Sequence, residues 1–224
     1  LIRAAFRAAT TGRHGPAFLA IPDELLAEEI DTSTLRITPA ARNRMISMGA
    51  GDPAAIERAA DALANAERPF LYAGKGVAWA GAADEFVALG DHLAAAMSTS
   101  LGARGVVPED HPHYFHIFDM ATTTAVRSDA DVVLVVGARL GEYDGWGMPP
   151  AWGDPDAQHT IQIDCDPMSM GLNRPVDEAV VADAKAALTA LGEAVRARCE
   201  PRSELVDAER YATMNAETVN NAVP

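Results

Sequence analysis

Six residues in the middle of the chain, Asp131-Val132-Val133-Leu134-Val135-Val136, constrain its architecture more than any other feature. Five consecutive aliphatic residues leave no polar position for a solvent-facing side, so a strand built from them must be covered on both faces. Such strands belong to parallel sheets, whose strands are joined by helical crossovers. The rest of the sequence supplies the matching elements. Residues 70–73 (FLYA), 96–99, 160–164 (TIQID) and 179–181 read as further short strands. Asp52 as a cap and Pro53 at the first helical position open a helix with Ile56, Ala59, Ala60 and Leu63 on one face, which Pro69 ends. Helices are also expected around residues 79–93, over 121–128 and over 185–198. This alternation predicts an α/β fold with a doubly wound parallel sheet.

The first ten residues read as an amphipathic helix already under way, with Ile2, Ala5, Phe6 and Ala9 on one face and no cap before it. Residues 17–21 (AFLAI), between Pro16 and Pro22, read as a buried strand. Residues 31–51 lack periodicity and carry Thr, Ser, Pro, Asn and Gly, as a linker does. The expected division is a remnant of a preceding domain over 1–30, a linker over 31–51, a central α/β domain over 52–200, and a linker over 201–224 toward a missing domain. On this reading the chain is a piece of a longer protein.

A net charge of −14 argues against binding nucleic acid through its phosphates. No run of about 18 apolar residues suggests a membrane span. Cys165 and Cys199 lie far apart and outside any C-x-x-C pattern, so neither a disulfide framework nor a thiolate metal site is expected. A reducing cytoplasm is the expected compartment.

Three segments could carry ligand chemistry. Gly74-Lys75-Gly76 follows a strand and precedes a helix, where glycines let backbone approach a pyrophosphate and a helix terminus offers N–H groups. Trp79 replaces the third glycine of G-x-G-x-x-G, and Pro69 replaces the first glycine of a Walker loop, so an empty tight turn is an equal alternative. Gly137-Ala138-Arg139-Leu140 follows the strongest strand, and Arg139 could pair with a phosphate or with an acidic neighbour. Asp164 and Asp166 flank Cys165 at another strand end, where a carboxylate can take a ribose hydroxyl or cap a turn. His111, His113 and His116 cluster in a loop around Pro112. Their spacing fits no helix face, so a solvated or packing role is expected and no metal site is assigned.

Taken in order, these segments resemble the acetolactate synthase superfamily of thiamine-diphosphate enzymes. The resemblance rests on residues 12–23 (GRHGPAFLAIPD), 66–77 (AERPFLYAGKGV), 107–112 (VPEDHP), 130–140 (ADVVLVVGARL) and 161–167 (IQIDCDP). It implies a parent of three domains, a homodimer or homotetramer, in which the two flanking domains bind thiamine diphosphate and Mg²⁺. The glutamate that activates the thiazolium and the Gly-Asp-Gly motif that holds the metal are both missing; Gly51-Asp52-Pro53 and Gly153-Asp154-Pro155 do not match. No catalytic residue is therefore expected in this chain, and the fragment alone should be inactive as a decarboxylase or carboligase.

In such relatives the central domain binds FAD, binds an ADP-containing ligand, or serves as scaffold. By that resemblance the positions matching a nucleotide site would be Gly74 and Gly76 near the pyrophosphate, Gly137 and Arg139 after the fourth helix–strand unit, and Asp164 with Asp183 near the adenosine. Leu140-Gly141-Glu142-Tyr143-Asp144 stands where flavin-binding members carry a paired aspartate and arginine, and Phe115, His116, Ile117 and Phe118 replace small residues. A scaffold is thus expected over a flavin site. The competing reading is a stand-alone FAD- or ADP-binding module, for which residues 1–22 would have no use.

Overall fold

Residues 1–39, 42 and 48–214 are described by the computed structural model, and the chain divides into two compact units, Leu1–Met48 and Gly49–Pro224. The first unit holds helix α1 (Ile2–Thr10), the short helix α2 (Asp23–Leu26), and a 3₁₀ turn at Thr32–Thr34. The Asp31 carboxylate caps that turn by accepting the Ser33 amide at 2.9 Å. Neither α1 nor α2 buries a residue. Residues 17–21 form no strand, and Phe18 is 93% exposed. The expectation of a buried strand there is corrected: a strand needs a neighbour for its N–H and C=O groups, and this unit has none among the described residues. The expected linker at 31–51 lies partly outside the described residues.

The second unit begins as its caps dictate. Asp52 accepts the Ala54 amide at 3.1 Å and Pro53 takes the first position of α3 (Pro53–Asn65), which buries Ile56, Ala59, Ala60 and Leu63. Helix α3 stops at Asn65, and Pro69 instead opens strand β1 (Pro69–Ala73). The single helix expected over 79–93 is two: α4 (Lys75–Ala80) and α5 (Ala83–Leu93). Gly81, at φ 61°, takes the left-handed conformation that glycine adopts cheaply and donates back to Ala78 and Val77. Strand β2 (Ala96–Thr99), helix α6 (Met120–Asp129), strands β3 (Val132–Val136), β4 (His159–Asp164) and β5 (Glu178–Val181), and helix α7 (Ala184–Arg196) follow.

The five strands form one parallel sheet in the order β2-β1-β3-β4-β5. The register places Leu71 beside Met97 and Leu134, and Leu134 beside Ile161. One face packs Leu71, Leu134 and Ile161 against α3, α5 and α7; the other packs Phe70, Tyr72, Val133 and Val135 against α6 and Trp152. Every residue of β1 and β3 is buried, which explains their unbroken apolar sequence. Asp131 fastens these two central strands at their start. Its carboxylate accepts the amides of Glu67 at 2.6 Å and Arg68 at 2.8 Å.

Residues 202–214, expected as linker, pack onto this unit instead. Arg202 donates to the carbonyls of Ala66 and Ala64, and Tyr211 is 3% exposed, with its hydroxyl donating to Asp129 at 3.1 Å. An aromatic ring that can bury its body and pair its hydroxyl has reason to dock. The remainder of that segment lies outside the described residues.

Candidate functional site

In a sheet of order 2-1-3-4-5 the chain reverses direction between β1 and β3, and ligands of such folds sit in the crevice outside the carboxyl ends at that switch point. Gly74 and Gly76 leave β1 there, and Gly137 leaves β3. The structure brings these three glycines into direct contact. The Gly74 amide donates to the Val136 carbonyl at 2.7 Å, and the Gly76 amide donates to the Gly137 carbonyl at 3.1 Å. A Cβ added to Gly74 would lie 2.1 Å from the Gly137 oxygen, and one added to Gly76 would lie 2.7 Å from the Gly137 Cα. The glycines therefore allow one backbone to meet another. The amides of Gly74, Gly76 and Gly137 are already spent within the protein.

The other predicted positions surround this contact without converging on a common point. Asp164, the last residue of β4, is 8% exposed and accepts the Asp166 amide at 2.9 Å. Its neighbour Ile163 takes the Gly137 amide at 2.8 Å, which places β4 next to the glycine contact. Asp166 caps the 3₁₀ turn Pro167–Ser169 through the Met168 amide at 3.0 Å. Asp183 caps α7 through the Ala186 amide at 2.9 Å. Arg139 differs from these. It is exposed, and among the described residues its guanidinium makes no hydrogen bond or ion pair, while its carbonyl accepts from Asn173 at 2.8 Å.

Sequence reasoning missed a buried polar network beneath the loop that follows β3. The Tyr72 hydroxyl donates to Asp144, the Trp152 indole donates to the Asp144 carbonyl at 2.6 Å, and the Gly141 amide donates to the Asp144 carboxylate at 3.1 Å. Burial first, and then the Asp144 carboxylate, push the Tyr72 phenol far above its ordinary range, so it is a permanent donor. The Arg127 guanidinium lies 5.0 Å over the Trp152 ring, and burial holds its pKa below the usual value. Arg174, 2% exposed, is satisfied by neutral acceptors: Gly147 and Gly153 carbonyls, Gln158 and Thr160. These bonds hold a loop in which Leu140 and Trp146 both take positive φ, at 51° and 57°. A tyrosine inside an apolar strand was the one available signal, since a buried phenol needs a partner.

The same edge carries exposed apolar side chains: Phe118, Tyr143, Trp146 and Met168 are all at least half exposed. They stand on the loops leaving β2, β3 and β4.

The model of the thiamine pyrophosphate enzyme central domain matches residues 56–191, more than half of the chain. A protein of Methanocaldococcus jannaschii named "Probable acetolactate synthase large subunit" is 33% identical over 196 residues, covering 82% of this chain and 31% of that protein. A protein of Pseudomonas aeruginosa named a probable 2-ketoarginine decarboxylase is 33% identical over 221 residues, covering 97% of this chain and 37% of its own length. The X-ray structure of a Mycobacterium smegmatis protein assigned as a thiamin diphosphate-dependent enzyme superposes with a TM-score of 0.67 at 28% identity, covering 91% of this chain and 38% of that one. The chain thus spans about a third of the length of the curated relatives it matches. With a parallel five-stranded sheet, its helices on both faces, and this family match across α3 to α7, the chain belongs to the thiamine pyrophosphate enzymes as their central domain.

Proposed function

We propose that this chain is the scaffold domain of an enzyme that decarboxylates a 2-keto acid with thiamine diphosphate and Mg²⁺, and then releases or ligates the acyl unit. The two flanking domains of the parent would hold the cofactor and metal. The observation that carries the scaffold reading is the closed switch point: the Gly74 and Gly76 amides are bonded to β3 and its following turn, so neither glycine amide is free to meet a diphosphate. The two Gly-Asp-Pro triplets do not fit a metal-bound diphosphate either. Asp52 caps α3, and Asp154 accepts the Asp156 amide at 3.0 Å, so both carboxylates serve local turns. No chemical step is assigned to this chain.

The exposed loops at the carboxyl edge, with Arg139, whose guanidinium is unpaired among the described residues, are the surface proposed to meet the flanking domains. A homodimeric or homotetrameric parent follows from cofactor binding between subunits, as the family resemblance implies. A cytoplasmic setting is proposed on the two free thiols, Cys165 and Cys199. No helix among the described residues is long and apolar enough to cross a membrane.

Isothermal calorimetry tests the scaffold reading. FAD, ADP and thiamine diphosphate with Mg²⁺, titrated separately into this chain, should each give no binding heat. Micromolar binding of FAD or ADP would show that the glycine contact opens, and micromolar binding of thiamine diphosphate would place cofactor contacts in this domain.

A further inference from the structure

His111 and His113 belong to a second constellation, on the opposite edge of the sheet from β5, which the glycine turns do not involve. Residues 113–115 run beside β2 in the same direction, bridged at Met97 and Tyr114. The Met97 amide donates to the His113 carbonyl, and the Phe115 amide donates to the Met97 carbonyl, both at 2.8 Å. This pairing holds the two imidazoles beside the last turn of α5, where Asp91 stands. His111 Nε2 lies 3.0 Å from Asp91 Oδ1, and the two imidazole rings meet edge to face at 5.6 Å. One donor atom from each of the three residues lies within 4.8 Å of the other two. Asp91 sits 20 positions before His111, so nothing in the local spacing joins it to the histidines.

We infer that Asp91, His111 and His113 form a binding site for a divalent cation of the zinc class. Two imidazoles and one carboxylate are donors that zinc accepts, at about 2.0–2.2 Å each, with a fourth position left for water. Two ligand atoms on one such tetrahedral ion lie about 3.4 Å apart, so a separation as wide as 4.8 Å must close by up to about 1.4 Å. A side-chain rotation supplies that, because Asp91 is half exposed while His111 is largely covered, at 52% and 15%. His113 Nδ1 is buried without a hydrogen-bonding partner, a state that costs free energy unless a ligand or water relieves it. Mg²⁺ and Ca²⁺ are disfavoured by imidazole, which leaves the site selective for softer ions. The backbone amide of His113 also donates to His111 Nδ1 at 3.2 Å. On metal binding at Nε2 the proton must move to Nδ1, and that long, weak bond is surrendered. The bound ion would tie the loop after β2 to the end of α5, away from the switch point.

The test uses the 224-residue chain carrying no histidine tag. Competition with a chromophoric chelator should show one equivalent of Zn²⁺ bound. Co²⁺ should give the visible absorption of a four-coordinate ion, and Zn²⁺ should raise the unfolding temperature. The variants D91N, H111Q and H113Q should each weaken binding by at least about tenfold, as losing one of three ligands does. Their metal-free unfolding temperatures identify any variant that fails to fold. No one-equivalent Zn²⁺ binding and no four-coordinate Co²⁺ band in the unaltered chain overturns the inference. So does Zn²⁺ affinity that persists unchanged in the folded variants, which would put the ion elsewhere.

Discussion

Gly74→Ala tests the closed switch point directly. Gly74 has φ −93°, a conformation open to any residue, so the substitution introduces no backbone strain and only steric conflict. The new methyl would begin 2.1 Å from the Gly137 oxygen and 2.5 Å from the Ala138 Cβ, with backbone rather than a flexible side-chain end in the way. The two turns must therefore part by about an ångström, since ordinary carbon contacts begin near 3.5 Å. Overpacking of this kind costs about 1–3 kcal/mol. Parting also strains the bonds from Gly74 to Val136 and from Gly76 to Gly137, and one buried amide left unsatisfied costs about 1–3 kcal/mol. The expected loss is roughly 2–6 kcal/mol. Gly15→Ala is the control, because nothing lies within 4 Å of its added methyl, and it should stay within about 0.5 kcal/mol. Urea denaturation followed by circular dichroism measures both. A Gly74→Ala protein as stable as the Gly15→Ala control would refute the contact and leave room for a ligand between β1 and β3.

Leu134→Ala removes a fully buried side chain from the centre of the sheet and should cost about 2–5 kcal/mol in the same assay. In an alkaline titration followed by ultraviolet absorbance, Tyr72 and Tyr211 should resist ionisation, with Tyr211 titrating near 12, since burial and then Asp129 raise its phenol. A raised folded-state pKa contributes stability that is fully present below the unfolded value of about 10 and is lost as pH rises through about 12, so unfolding should become easier across that window. Tyr211→Phe should remove one resistant phenol and flatten that part of the pH dependence. A chain starting at Gly49 should retain the cooperative unfolding of the second unit, measured by calorimetry; loss of that transition would make residues 1–48 part of its fold.

The sheet was legible because its strands leave strong local marks. The run from Val132 to Val136 has no polar face to hide, and Asp52-Pro53 announces its helix through a cap whose geometry is purely local. The break at Gly81 was not legible, since the apolar positions on either side of it continue a plausible helical face. Residues 17–21 have strand composition, but composition cannot supply the neighbouring strand that pairing requires. At the candidate site, Gly74 and Gly137 stood out as glycines at strand ends, yet their mutual contact depends on β1 lying next to β3 across 63 positions. The network of Tyr72, Arg127, Asp144 and Arg174 is equally non-local. Each member alone looks like an ordinary polar residue, and only the register of the sheet brings them together.

That register also bears on how the chain reaches its structure. The paired central strands β1 and β3 enclose β2 and three helices, so joining them closes a long loop before any contact rewards it. The middle of the sheet cannot nucleate by itself. Folding is expected to begin in sequence-local pieces, such as α3 with β1 and α5 with β2, and to reach the central pairing afterwards. Asp131 then acts as a latch: its carboxylate accepts the adjacent Val132 amide locally, and gains the amides of Glu67 and Arg68 only when they arrive from the far side of the loop. Removing it should leave the early steps nearly untouched and speed unfolding, the kinetic mark of a contact made after the barrier.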